Sequence, residues 1–169
     1  FPCLPKVVAR QLEIAGTAET MELSSCSTGG LTFAVGRIAV ADQARVAPIQ
    51  QALHDALFAN VSAAPQAVFA EKGSATASGS APQPAARSVR VLGTGPDGER
   101  MFVQSRLFNR GLTIYQATVV GRDDKAETSE FFFSSLGVGF LAVHPGLVFA
   151  GDIRWNGFIT TSVEMSDKD

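Results

Sequence analysis

Three glycine-bearing turns constrain this chain more than any other feature. Ala15-Gly16-Thr17-Ala18, Ser27-Thr28-Gly29-Gly30 and Asn109-Arg110-Gly111 each separate two short runs of strand-forming residues. Gly in a two- to four-residue connection permits the left-handed backbone that a tight hairpin needs. The first two turns cut the N-terminal region into runs at 7–14, 19–25 and 31–40. Met21 and Leu23 alternate with Thr20, Glu22 and Ser24, the period of a half-buried strand. Leu31, Phe33 and Val35 continue one face, whereas Ile38 and Val40 fall on the opposite parity. A bulge at Gly36 would restore a single buried face. Short consecutive strands with tight turns predict an antiparallel meander.

Helical spacing follows. Asp42 is a candidate cap for a helix over 44–60, with Val46, Ile49, Leu53 and Leu57 on one stripe. Pro48 is tolerated only near the first turn, so the helix cannot begin much earlier. Residues 62–87 then change character: nine of these 26 are Ala, Pro occurs at 65, 82 and 84, and 73–80 is rich in Ser and Gly. Such a composition buries too little apolar surface to offset its ordering entropy, and predicts a long, flexible surface loop. Strand-like runs resume at 88–92, 100–109 and 112–120. Asp123 and Asp124 then open a predicted helix of about 13 residues that carries Ala126, Phe132, Phe133 and Leu136. Neither side of the 62–87 segment has enough strands for its own core, so residues 1–169 are read as one domain of the α+β class. An apolar C-terminal extension occupies 137–169, where Asn156-Gly157 between Trp155 and Phe158 signals a further hairpin.

Composition narrows the function. Lys and Arg number 14 against 16 Asp and Glu, a formal charge of −2, which leaves no basic surplus for nucleic acid. The most apolar stretch, 137–151, is interrupted by His144-Pro145-Gly146 and is too short for a membrane span. It must pack on the core or on a partner. Phe1 in place of Met leads to the expectation of a processed or trimmed product, as a removed signal peptide would leave. The two cysteines, Cys3 and Cys26, are without further soft ligands at zinc spacing and form no C-x-x-C pair. A structural disulfide or two buried thiols remain, and the disulfide is preferred. A bridge would place the protein in an oxidising compartment, periplasmic or secreted.

Four groups invite a chemical role. Gly93-Thr94-Gly95-Pro96-Asp97-Gly98 matches G-x-G-x-x-G, but a dinucleotide site needs a helix after the loop and here a strand follows. His54, at the edge of the first helix, and His144, in a Pro-Gly turn, have no nucleophile or carboxylate at triad spacing. Asp123 and Asp124 want a third oxygen ligand to hold a cation, and suit a helix dipole better. Twelve Phe against one Trp and one Tyr include the run Phe131-Phe132-Phe133, which covers more of a helix than one buried stripe needs. One of those rings must lie beside the stripe, against 137–151 or exposed to a partner. No catalytic, cofactor-binding or metal residue is assigned.

Several stretches resemble an uncharacterised family of bacterial exported proteins and lipoproteins. Phe1-Pro2-Cys3-Leu4-Pro5 resembles the family's opening F-P-x-x-P, and the first meander with Cys26 and Gly30 resembles the stretch where members often carry a second Cys. Arg110-Gly111-Leu112-Thr113-Ile114-Tyr115-Gln116 resembles its G-x-R-x-Y-Q hairpin, and Phe131-Phe132-Phe133-Ser134-Ser135-Leu136 its closing aromatic helix. The likeness covers about residues 1–136. It implies a PsbP-like α/β/α sandwich, an antiparallel sheet flanked by two main helices, in a group of accessory and binding proteins. The motifs are structural and carry no catalytic residue over. The long 62–87 loop and the apolar segment after Leu136 depart from the pattern.

The resulting expectation is a non-enzymatic accessory or protein-interaction domain of the bacterial cell envelope, periplasmic or secreted, with a lipid anchor before trimming as one form of attachment. Its partner would be an envelope protein or a second copy docked through the C-terminal segment. Phe131, Phe140, Leu141, Val143 and Phe149 form the candidate interaction patch, and Cys3 and Cys26 the disulfide. The alternative is a binder of a small hydrophobic ligand or lipid in a Phe-lined pocket.

Overall fold

The structure, a computed structural model, describes residues 2–61, 68–72, 87–95 and 97–136. The first three runs form β1 (Lys6–Ile14), β2 (Thr17–Thr28) and β3 (Leu31–Ala39). Two-residue turns join them. Ala15 and Gly16 have φ of 50° and 76°, and Gly29 and Gly30 have 60° and 77°. Left-handed backbone at both central positions is the type I′ pattern, whose twist matches that of the strands it connects. The disulfide between Cys3 and Cys26, with Cα atoms 5.9 Å apart, pins the other end of the β1–β2 hairpin.

A second meander returns from the far edge: β4 (Val68–Lys72), β5 (Arg87–Thr94), β6 (Arg100–Arg110) and β7 (Thr113–Gly121). β7 pairs with β3, from Leu31 opposite Gly121 to Ala39 opposite Thr113. The outcome is one antiparallel sheet in the order β1-β2-β3-β7-β6-β5-β4. The predicted 62–87 loop therefore needs correction, since Val68–Lys72 is a strand and Arg87 already belongs to β5. An average over an Ala-, Ser- and Pro-rich stretch hides five residues that begin Val68-Phe69, a strand-forming pair. The pairing slips between Val68 and Ala70, a bulge of the kind common at sheet edges. Residues 62–67, 73–86 and 137–169 lie outside the described residues, and with them the predicted C-terminal hairpin.

The connection from β3 to β4 carries α1 (Val46–Asn60). A single turn of tighter helix at Gln43–Arg45 precedes it, capped by Asp42, whose Oδ1 accepts from the Ala44 and Arg45 amides at 2.8 and 3.2 Å. Pro48 falls in the first turn of α1, as its missing amide requires. After β7 comes α2 (Ala126–Ser134), nine residues long. The acidic pair does not open α2. Asp123 is exposed, and Asp124 instead forms an ion pair with Arg90 on β5. Glu127 is the acidic residue of the first turn.

The helices lie on opposite faces of the sheet. Val46, Ile49 and Leu53 of α1 pack with Met21, Ile38, Leu107 and Ile114. Phe132 and Phe133 of α2 pack with Phe33, Val35, Phe108 and Tyr115. Adjacent residues such as Ile114 and Tyr115 thus serve different cores, since successive side chains of a strand alternate in direction. This overturns the bulge at Gly36. The register of β3 runs unbroken against both neighbours, from Leu31 to Ile38 on β2 and to Ala39 on β7. The change of parity reflects burial of both faces. Gly36 answers a different need, because a Cβ there would come within 3.0 Å of Met21 Sδ and Cε.

Candidate functional site

The space between α1 and the sheet is incompletely filled. A cavity of about 280 Å³ opens there, and its walls follow from residue size. On the helix, Ala52 and Ala56 stand one turn apart beside Leu53 and Leu57; on the sheet, Ala34 and Gly36 occupy alternate positions of β3. Small residues face small residues, so neither surface reaches the other. Packing that close to crystalline density would otherwise leave few voids larger than a water. Leu12 and Ile14 of β1 and Met21 and Leu23 of β2 supply a third wall, and Met101, Val103 and Val120 line the side under β6 and β7.

The lining is aliphatic. Among the described residues no phenylalanine contributes to it. Several described rings gather on the other face, where Phe33 and Phe132 lie 5.2 Å apart, Phe108 stacks on Tyr115 at 5.5 Å, and Phe132 meets Phe133 edge-on at 5.3 Å. Phe58 of α1 packs beside Val61, Val89 and Val91, clear of the cavity.

Polar groups reach the cavity at few points. Thr118 is buried on its floor, and its hydroxyl is shared with Ser105 at 2.9 Å. Half-buried Gln116 stands two residues away on β7. A second buried polar pair lies under the same helix: Gln50 Nε2 donates to Asn109 Oδ1 at 3.3 Å, and Asn109 Nδ2 donates to the Gly111 carbonyl at 2.9 Å. Gln50 Oε1 has no hydrogen-bond partner among the described residues. The α1 face is therefore mixed in polarity as well as loosely filled. At the rim are Arg10 and Glu13 of β1 and Asn60 of α1. Arg10 shares its strand parity with Leu12 and Ile14 and is half-buried; Glu13 has the opposite parity and is exposed.

Of the residues singled out in the sequence, His54 is half-buried on α1, its ring 4.9 Å from Phe58 and its Nδ1 3.4 Å from Asp55 Oδ1. It is not part of the cavity lining. His144 falls outside the described residues, as do Phe140, Leu141, Val143 and Phe149 of the candidate patch. Phe131 is described and is 74% exposed, the one ring of its run that leaves the core; Phe132 and Phe133 are 1% exposed. Gly93 and Thr94 end β5, and Gly95, Asp97 and Gly98 belong to the connection to antiparallel β6, where Gly95 N donates to the Glu99 carbonyl and Asp97 Oδ1 accepts from the Glu99 amide. A hairpin loop of this kind offers no helix N-terminus to a pyrophosphate. Among the described residues no group of three or more His, Cys, Asp or Glu is placed to hold a metal ion, and no helix is long and apolar enough to cross a membrane.

Sequence reasoning missed the cavity. Its signal was present in Ala52 and Ala56 beside the leucine stripe and in Ala34 and Gly36 on β3, small residues where a filled core would want large ones. What the sequence could not supply was that these two sets face each other. No family model matches the chain, and neither the curated proteins nor the solved structures contain a match to it.

Proposed function

We propose that this chain is a non-enzymatic, exported binding protein of the cell envelope that holds a small apolar molecule between α1 and the sheet. The observation that carries this reading is the aliphatic cavity of about 280 Å³. An apolar cavity of roughly 150 Å³ stays dry and accepts benzene, so this one suits an apolar body of about a dozen non-hydrogen atoms. Its few polar groups fit the usual pattern of a ligand pocket, in which apolar walls supply affinity and sparse polar groups set orientation. The Cys3–Cys26 bridge supports an oxidising compartment. The resemblance of the N-terminal and aromatic-helix motifs to exported accessory proteins of PsbP-like fold supports the envelope setting.

The test is calorimetric titration of the full chain with 1-decanol, a neutral chain of the right size. Saturable one-to-one binding is expected, together with a rise in thermal midpoint as the ligand selects the folded state. Ala52→Leu adds three carbons to the cavity wall and should weaken that binding by about tenfold or more, with a cooperative thermal transition showing that the variant is folded. Failure of the native chain to bind decanol, or undiminished binding by the Ala52→Leu variant, would overturn the assignment.

A second reading rests on Phe131, which presents 74% of its surface beside two buried neighbours. It is the described member of the candidate interaction patch and gives α2 an apolar outer contact for an envelope partner.

A further inference from the structure

Resting on the cavity as a ligand site, we infer that its ligand is an amphiphile with an anionic head, a monocarboxylate whose apolar tail lies beneath α1 and whose carboxylate meets Arg10 at the rim. Three observations converge on this. Arg10 lines the cavity from the exposed edge strand, on the same side of β1 as Leu12 and Ile14, so its guanidinium stands where the aliphatic lining gives way to solvent. Arg10 also differs from the other arginines with a carboxylate nearby. Arg45 is paired with Glu19 at 3.0 Å, Arg106 with Glu130 at 2.8 Å, Arg122 with Glu99 at 3.5 Å, Arg37 with Glu22 at 3.6 Å, and Arg90 with Asp124. Arg10 forms no ion pair among the described residues, although Glu13 lies only three positions away, because the odd parity of Glu13 turns its side chain to the other face.

Apart from Glu13, which is exposed on the opposite parity of β1, the remaining lining carries no charge. Thr118 is satisfied by Ser105, so the floor offers little to a charged group, and the strongest available partner for an anion is the guanidinium at the mouth. A planar guanidinium accepts a carboxylate through two parallel N–H donors, which fixes the head while the tail is buried. The arrangement predicts a fixed polarity of entry, tail first, with the head left half in water.

Decanoate, 1-decanol and decylammonium share one tail length and differ in head charge, and together they separate the two claims. The native chain should bind decanoate about five- to tenfold more tightly than decanol, the span expected of a charge-assisted pair that is only partly shielded from water. Decylammonium should bind most weakly. Raising the salt concentration should narrow the gap between decanoate and decanol. Arg10→Gln should bring decanoate and decanol to equal affinity on the variant itself, with an unchanged circular-dichroism spectrum showing that it is folded; Arg10→Lys should keep part of the preference. Equal binding of decanoate and decanol by the native chain, or tighter binding of decylammonium, would overturn the anionic head and leave the cavity reading standing. Binding of none of the three would overturn the cavity reading itself.

Discussion

The two faces of the sheet are built from the same strands and yet filled in different ways. On the α2 face, Phe33, Phe108, Tyr115, Phe132 and Phe133 occupy the layer with ring separations of 5.2 to 5.5 Å. Charged side chains close its border: Arg106 lies over the Phe133 ring and pairs with Glu130, which also accepts from Gln104 at 2.7 Å. On the α1 face, Ala, Gly, Leu, Met and Val leave a cavity of about 280 Å³ over a floor that includes Thr118 and Gln116. Rings are large and few in rotamers, so a nine-residue helix can complete a core with two of them. The fifteen-residue α1 has the greater length but faces small side chains over part of its span. Length of contact does not measure how well a layer is filled; volume does. One face is densely filled and the other retains a cavity.

The contrast breaks most visibly at Phe132. Phe132→Ala should cost about 3–5 kcal/mol of unfolding free energy, as large-to-small changes in a packed aromatic core do, whereas Phe131→Ala should stay within about 0.5 kcal/mol. Urea denaturation of the two variants checks this, and equal losses would mean that the dense layer is not where the rings place it. Next in size is the disulfide. Cys3 and Cys26 belong to the α2 face, but the hairpin they close forms a wall of the cavity on the other. The paired Cys3→Ser and Cys26→Ser change should cost about 3 kcal/mol by loop entropy, and should weaken decanol binding as well. Loss of stability with unaltered ligand affinity would show that the faces are independent. The smallest effect is expected at the opposite end of the same hairpin. Ala15 adopts a φ of 50° in the type I′ turn, a conformation that Asn tolerates better than Ala. Ala15→Asn should raise stability by about 0.5–1 kcal/mol. A decrease in the denaturation midpoint would indicate that Ala15 is valued for its place at the cavity rim.

Much of this architecture was legible before any coordinates. Alternation at Met21 and Leu23, the double glycine at Gly29-Gly30, the cap at Asp42 and the leucine stripe at Ile49 and Leu53 are local patterns, decided by dihedral preference and by the period of one element. Proximity in sequence also favoured the pairing of Cys3 with Cys26. The Phe131-Phe132-Phe133 run could be read as one ring too many, although which ring was surplus depended on the phase of α2 against the sheet. The misreadings share a cause. The parity change at Gly36 looks like a defect if one face is assumed to be wet, and becomes ordinary alternation once both faces are covered. Asp124 looks like a helix-opening acid until Arg90, thirty-four positions earlier, is brought beside it.

The sequence by itself determined most of the elements, the glycine turns and the antiparallel class, and favoured the disulfide, because each follows from conformational preferences over a few residues or from the chemistry of a single pair; β4 and the start of α2 were not among them. Only the tertiary structure decided which surfaces oppose one another. The cavity exists because the Ala52–Ala56 side of α1 lies over the Ala34–Gly36 stretch of β3, and the proposed carboxylate site exists because Arg10 of an edge strand reaches the rim of that gap. A void is a property of two surfaces that meet through long-range pairing of β3 with β7, and no window along the chain contains both.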